Sequence, residues 1–235
     1  MAKPLVIAHR GDSSEALENS LAAFRLALTV PVDMIELDLR LSRDGFLYVM
    51  HDRHTGRTAE RNVAVEAASS KELDGIRLRD GERIPRLDDV LELVAGKAGI
   101  NTEIKSHGGG AALARHLAGH PFAGTLVVSS FREEELPPVQ SALPEARCAV
   151  IYDTFSLRHV AAYRAKGYSL ISLRKNTVTE PLVRACHGQG VDIFVWTVDT
   201  EEEMKRCIDW KVDGIYTNRP ALLKQVLDRR YAKKK

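Results

Sequence analysis

Ser169-Leu170-Ile171-Ser172-Leu173, a polar and periodic run over 180–189, Ile193-Phe194-Val195-Trp196, a second such run over 201–210, and Gly214-Ile215-Tyr216-Thr217 follow one another near the C-terminal end of the sequence. The first, third and fifth are short apolar stretches rich in β-branched and aromatic residues, as buried strands are. The second and fourth carry apolar residues at helical spacing. Thr179-Glu180-Pro181 supplies a cap and an early proline for one helix, which Gly190 ends, Thr200 precedes the next, and Gly167 ends a third.

The same alternation extends upstream. Strands are predicted near 5–8, 34–39, 100–104, 126–129, 147–151, 169–173, 193–196 and 214–217, and helices near 20–28, 87–94, 111–117, 133–143, 157–166, 180–189, 201–210 and 221–227. Eight β-then-α units with short connections predict an α/β fold of the closed parallel (β/α)8 kind, a TIM barrel. An open doubly wound sheet is the alternative. Its nucleotide-binding forms lose support because the first turn, His9-Arg10-Gly11-Asp12-Ser13-Ser14, is not G-x-G-x-x-G, and no P-loop is present.

One segment interrupts the rhythm. After the second strand, Arg43-Asp44-Gly45-Phe46-Leu47-Tyr48-Val49-Met50 carries an Asp-Gly turn that predicts a hairpin returning to His51. Residues 53–83, polar and partly helical, then read as a short insertion on the rim where barrel active sites form. The expectation is a single domain over 1–235 with this one insertion.

Composition bounds the function. The 235 residues are 44% hydrophobic and 28% charged, ordinary for a globular protein. Lys and Arg number 34 against 32 Asp and Glu, too even a balance for nucleic-acid binding. The basic excess gathers in Arg229-Arg230-Tyr231-Ala232-Lys233-Lys234-Lys235, read as a solvated tail. Cys148, Cys186 and Cys207 are odd in number and lack C-x-x-C spacing, which argues against disulfides or a zinc site and for buried thiols. With no signal-peptide pattern after Met1-Ala2-Lys3-Pro4 and no run of about 18 apolar residues, a cytoplasmic protein without membrane insertion is expected.

Four strand-like runs end in ionisable groups: Ile7-Ala8-His9-Arg10-Gly11, Ile35-Glu36-Leu37-Asp38, Tyr48-Val49-Met50-His51-Asp52 and Asn101-Thr102-Glu103-Ile104-Lys105. Residues i and i+2 of a strand share a face, so Glu36 goes with Asp38 and Glu103 with Lys105. Three carboxylates converging at one barrel mouth repel one another unless a cation sits among them. An all-oxygen set suits one divalent hard cation, Mg²⁺ or Ca²⁺. Pairing of these carboxylates with an arginine such as Arg40 is the competing reading. His9 and His51, each followed by a charged residue, suit an acid–base pair near neutrality. Arg10 and Lys105 are the cations a phosphate needs, although Lys105 can equally bridge to Glu103. Trp196 offers either an aromatic wall for a ligand or packing on Phe131. Together with a divalent ion and a phosphodiester monoanion, the three carboxylates and two cations sum to zero charge.

In chain order, His9-Arg10-Gly11, Glu18-Asn19-Ser20, Glu36-Leu37-Asp38, Ser42-Arg43-Asp44-Gly45, His51-Asp52, Arg57-Thr58, Ile84-Pro85-Arg86-Leu87, Glu103-Ile104-Lys105, Ser129-Ser130-Phe131, Trp196-Thr197-Val198 and residues 213–218 resemble the glycerophosphodiester phosphodiesterase family, particularly its compact bacterial type. The resemblance spans essentially the whole chain. It implies a barrel, a divalent metal on Glu36, Asp38 and Glu103, His9 and His51 as catalytic pair, and phosphate or site contacts from Arg10, Asn19 and Lys105. A small-molecule glycerophosphodiester would then be the substrate. Three positions depart from the family's usual pattern: Leu17 stands for proline, Ser20 for threonine, and Asn218 for aspartate. A cyclising lyase and a non-catalytic phosphate-binding barrel are the rival readings.

Overall fold

The computed structural model describes residues 3–232. Eight parallel strands, β1 (Leu5–His9), β2 (Met34–Leu41), β4 (Gly99–Ile104), β5 (Leu126–Ser130), β6 (Arg147–Tyr152), β7 (Leu170–Arg174), β8 (Asp192–Trp196) and β9 (Gly214–Thr217), pair in sequence order. β1 pairs with both β9 and β2, which closes the sheet into the expected barrel. β3 (Leu47–Val49) is the added strand of the hairpin, antiparallel to β2 with Leu39 opposite Val49. Gly45 at its turn has φ of 88°.

The period of two sorts each strand's side chains. Outward residues such as Ile35, Leu37, Val128, Ile171, Val195 and Ile215 join the large core beneath the helices. Inward residues Ile7, Met34, Val127, Ala149, Leu170, Phe194 and Tyr216 fill the barrel with an apolar plug. One inward step toward the C-terminal ends the residues turn polar: His9 after Ile7, Glu36 after Met34, Ser129 after Val127 and Ser172 after Leu170. The plug therefore floors a polar cup. Gly214 makes room for Phe194, since a Cβ there would lie 2.5 Å from the ring.

The helices are α1 (Leu21–Ala27), α2 (Ser70–Asp74), α3 (Leu87–Val94), α4 (Gly109–Gly119), α5 (Leu136–Ala142), α6 (Val160–Ala165), α7 (Glu180–Gly188), α8 (Glu201–Trp210) and α9 (Pro220–Tyr231). Thr179 and Thr200 cap α7 and α8 as predicted, accepting from the N–H groups of Leu182 and Glu203. The helix expected over 133–143 instead opens as a 3₁₀ turn, Glu133–Glu135, before α5. Pro137 and Pro138 lack the donors a longer helix needs at that point, so they sit in its first turn. α9 runs past the expected end at 227, tied by Arg229 to Glu201 and by Arg230 to Asp209. Lys233, Lys234 and Lys235 of the basic tail lie outside the described residues.

Residues 53–83 form a lobe with its own small apolar core, in which Ala59, Val65, Leu73, Ile76 and Leu78 pack on Tyr48 and Met50 of the hairpin arm. A polar surface had hidden that core in the sequence. The three cysteines are free and buried, as expected. Among the described residues no helix is long and apolar enough to cross a membrane.

Candidate active site

The ends of β1, β2 and β4 place the acidic cluster. Strand register sets His9 beside Glu36 and Asp38 beside Glu103, so the carboxylates occupy adjacent positions of one cup. Glu36, Asp38 and Glu103 each offer an oxygen within 4.8 Å of the others, and all three are buried. Beyond β1 the upper part of β2 takes β3 as its neighbour, and the Met50 N–H donates to Asp38 O at 2.9 Å. That switch delivers His51 to the same mouth.

Arg40 does not compensate the cluster. Its guanidinium donates to His51 O at 2.9 and 2.7 Å and pairs with Glu66 at 3.1 Å, so it anchors the His51 backbone instead. Compensation comes from Arg10, 3.0 Å from Asp38 Oδ2, and from Lys105, 3.2 Å from Asp38 Oδ1 and 2.5 Å from Glu103. The bridge from Lys105 to Glu103, anticipated as an alternative, thus coexists with its place at the cavity. Asn19 fastens the arrangement: its Nδ2 donates to Asp38 Oδ2 at 2.8 Å and its Oδ1 accepts from the Asp38 N–H at 3.3 Å.

Local backbone geometry aims Arg10. Arg10 and Asn19 both have φ of 57°, and Gly11 follows at 85°. A Cβ on Gly11 would sit 2.6 Å from the Ala23 carbonyl carbon, so only glycine lets α1 close against this turn. The Arg10 N–H then donates to Glu36 Oε2 at 2.9 Å.

Two histidines face the cup with different partners. His51 Nδ1 lies 2.7 Å from Asp52 Oδ1, and Asp52 is held by Arg57 Nε at 2.6 Å. Arg57 reaches on to Glu18 at 2.7 and 2.9 Å, and Glu18 accepts from Arg10 at 2.9 Å. A chain of alternating charges therefore joins the rim lobe to Arg10. His9 Nδ1 lies 2.7 Å from Asn218 Oδ1, an uncharged amide.

Electrostatics follows from this wiring. Burial, then the Asp38 charge, pushes Glu36 well above the usual carboxylate range, and burial with Asp38 raises Glu103 to about 7. For Asp38, burial opposes ionisation, but Lys105 and Arg10 outweigh it and hold the carboxyl well below its usual range. Burial and the adjacent Arg10 lower His9 to about 4. Burial also lowers His51. Hydrogen bonding from Arg57 keeps Asp52 down at about 2.

The cavity above the cluster holds about 590 Å³ of non-protein space, its open mouth included. His9, Arg10, Glu36, His51, Glu103 and Lys105 line one side; Phe131, Ile151 and Trp196 make an apolar wall. Both readings of Trp196 hold, for it packs edge-on against Phe131 with ring centroids 5.8 Å apart and lines the cavity. Its buried Nε1 has no hydrogen-bond partner. At the floor, Asn101 accepts from Ser129 at 2.9 Å and donates to the Tyr216 hydroxyl. His107 lies on an exposed turn outside this lining.

The donor set fits a divalent cation. Three buried carboxylate oxygens without sulfur or nitrogen ligands suit a hard ion, and Asp38 Oδ1 is buried without an aligned hydrogen bond although Lys105 Nζ is near. Glu18, Asp52, Arg57, Asp199 and Asn218 were not predicted as site residues. Glu18, Asp52, Arg57 and Asn218 stand inside the motifs quoted above, but nothing in their spacing shows whom they touch. Ser129 was accessible to reasoning, because it sits in register with Glu103 on the neighbouring strand.

Residues 9–222 match the glycerophosphoryl diester phosphodiesterase family, and the chain belongs to it. A glycerophosphodiester phosphodiesterase of Caldanaerobacter subterraneus subsp. tengcongensis is 37% identical over 94% of this chain and 96% of its own length. One from Bacillus subtilis is 30% identical over 94% and 86%. Among solved structures, a glycerophosphodiester phosphodiesterase of Agrobacterium tumefaciens is 30% identical with a TM-score of 0.81, covering 96% of this chain and 99% of its own. An Oleispira antarctica phosphodiesterase, solved in complex with the product sn-glycerol-3-phosphate, shares the fold at a TM-score of 0.90 and 23% identity, over 96% and 97% of the two chains.

Proposed function

We infer that this chain hydrolyses glycerophosphodiesters to glycerol 3-phosphate and an alcohol, acting as one catalytic domain in the cytoplasm on small-molecule diesters and not on nucleic acid. The observation that carries the reading is the convergence, at one cavity of a chain of this family, of two histidines, two cations and a carboxylate triad of which Glu36 and Glu103 line the cavity. Arg10 and Lys105 bind the phosphodiester and stabilise the charge that builds on it. One of His9 and His51 takes the proton of the nucleophile while the other protonates the departing alkoxide. Trp196 and Phe131 cover the carbon skeleton of the glycerol end, and Asn19 keeps Asp38 in place. Glu36, Asp38 and Glu103 would hold one Mg²⁺ or Ca²⁺, which supplies Lewis-acid polarisation of a phosphate oxygen.

Ligand carboxylates must be ionised, so ion binding competes with protons. The raised Glu103 keeps its proton in the ion-free fold at pH values where the unfolded chain, near its ordinary 4.5, has lost it. Stability from that source is full below about 4.5 and is lost as pH rises through about 7. A bound cation favours the ionised form and reverses the loss. Mg²⁺ or Ca²⁺ should therefore raise the melting temperature more at about pH 8 than at about pH 5.5. Thermal denaturation at both values checks this; an equal or larger shift at the lower pH contradicts it.

The cations address phosphate, and the cavity's carboxylates, Glu36 and Glu103, belong to the proposed ion site, which leaves no carboxylate beside the wall of Phe131, Ile151 and Trp196 to grip a cationic headgroup. Glycerophosphocholine, glycerophosphoethanolamine and glycerophosphoglycerol should have kcat/KM values within about tenfold, or about 1.4 kcal/mol, and a diester lacking glycerol should be clearly worse. Steady-state kinetics on that panel tests the reading. Failure to turn over any of the three ends it, and a strong preference for choline shows a headgroup pocket, with Trp196→Ala the first variant to examine.

A further inference from the structure

Asp199 follows β8 and touches neither the carboxylate triad nor the phosphate-side cations. Its Oδ2 accepts from Asn218 Nδ2 at 2.7 Å, and its Oδ1 accepts from the Asn218 N–H at 2.8 Å and the Thr217 hydroxyl at 3.1 Å. Asn218 in turn presents Oδ1 to His9 Nδ1 at 2.7 Å. We propose that Asp199 is a positioning residue: through Asn218 it fixes His9 as the tautomer with its proton on Nδ1. The proposal rests on the phosphodiesterase reading above, in which His9 exchanges a proton with substrate.

An amide is almost symmetric in shape, and a half-turn exchanges its donor for its acceptor. With Oδ1 toward His9, Nδ1 must carry the hydrogen, and neutral His9 keeps a free lone pair on Nε2. With Nδ2 toward His9 the tautomer reverses, and Nε2 carries the proton. The partners on the far side of the amide decide between the two. Ser13 cannot decide, because its hydroxyl lies 2.7 Å from Asn218 Oδ1 and 2.9 Å from His9 O and can accept as readily as donate. Asp199 can only accept. Turning the amide over would set its oxygen against the carboxylate and break a charge-assisted hydrogen bond.

The neutral amide orients His9 through its oxygen. The acceptor-only group, Asp199, lies one hydrogen bond beyond the amide, so the tautomer is held without a charge directly beside the imidazole. Asp199 completes the device by fastening the loop after β9 through the Asn218 N–H and the Thr217 hydroxyl.

Asp199→Asn tests this in the full chain with Mg²⁺ present. The variant keeps the shape and, through one oxygen, the acceptor for the Asn218 N–H and Thr217, but turns a donor toward Asn218 and so favours the reversed amide. Nitrogen NMR of ¹⁵N-histidine-labelled protein should show His9 moving from the Nδ1–H to the Nε2–H tautomer. The kcat for glycerophosphocholine should fall by about 10-fold or more, a complete reversal being worth up to about 10⁴, while KM stays within about threefold. Combining Asp199→Asn with Asn218→Asp exchanges carboxylate and amide, restores each hydrogen bond, and should recover both the Nδ1–H tautomer and most of kcat. A single variant that keeps the tautomer overturns the proposal. So does lost activity that the exchange fails to rescue. The NMR readout needs no substrate, so absence of turnover by the unmodified chain would refute the proposed function and leave the tautomer result standing.

Discussion

Exhaustive removal of divalent ions should take glycerophosphocholine turnover below about one thousandth of the untreated rate, with recovery on adding Mg²⁺ or Ca²⁺; Lewis-acid stabilisation of several kcal/mol corresponds to at least that factor. The physical ground is the buried triad. Glu36, Asp38 and Glu103 lie within 4.8 Å of one another, and two of the three are pushed toward protonation by burial and by Asp38. Arg10 and Lys105 pair with Asp38 but leave the set short of positive charge once a phosphodiester draws on the same two cations. Glu36→Ala, Asp38→Ala and Glu103→Ala should each weaken divalent-ion binding sharply by calorimetry. Full activity in protein whose metal content has been verified as nil would end this part of the account.

The second large effect concerns the histidines. His9→Ala and His51→Ala should each lower kcat about 10²-fold or more, the lower end of what acid–base catalysis supplies, while divalent-ion affinity and melting temperature hold. Both rings line the cavity and bond polar side chains. His9 bonds an amide and His51 a carboxylate, at the open end of the cup. Burial lowers both, His9 to about 4, so the form of the imidazole that donates a proton must be stabilised as the reaction proceeds. Asp52, itself held ionised by Arg57, is placed to do that for His51. Turnover at the unmodified rate in either variant would move that histidine from chemistry to structure.

Much of this was legible because two periodicities carry it. The step of two along β1, β2 and β5 puts apolar Ile7, Met34 and Val127 at the barrel floor and polar His9, Glu36 and Ser129 above, and the same step predicted that Glu36 and Asp38 would share a face. Helix caps at Thr179 and Thr200 are local chemistry and were read correctly. What the sequence did not show depended on long-range wiring. Arg40 was a reasonable partner for the carboxylates by sequence distance, yet the β2–β3 hairpin turns it toward His51 O. Glu18 and Arg57 meet across 39 positions, and His9 and Asn218 across 209, so no spacing rule reveals either pair. The core of the rim lobe stayed hidden because its apolar residues are single and widely spaced in a polar segment.

Phosphorus NMR of glycerophosphocholine turned over by the metal-loaded protein tests the central claim most directly. The account predicts glycerol 3-phosphate as the phosphorus-containing product, with an equal amount of choline released. A cyclic glycerophosphate accumulating as the end product, or unchanged substrate in the presence of folded, metal-loaded protein, would contradict it.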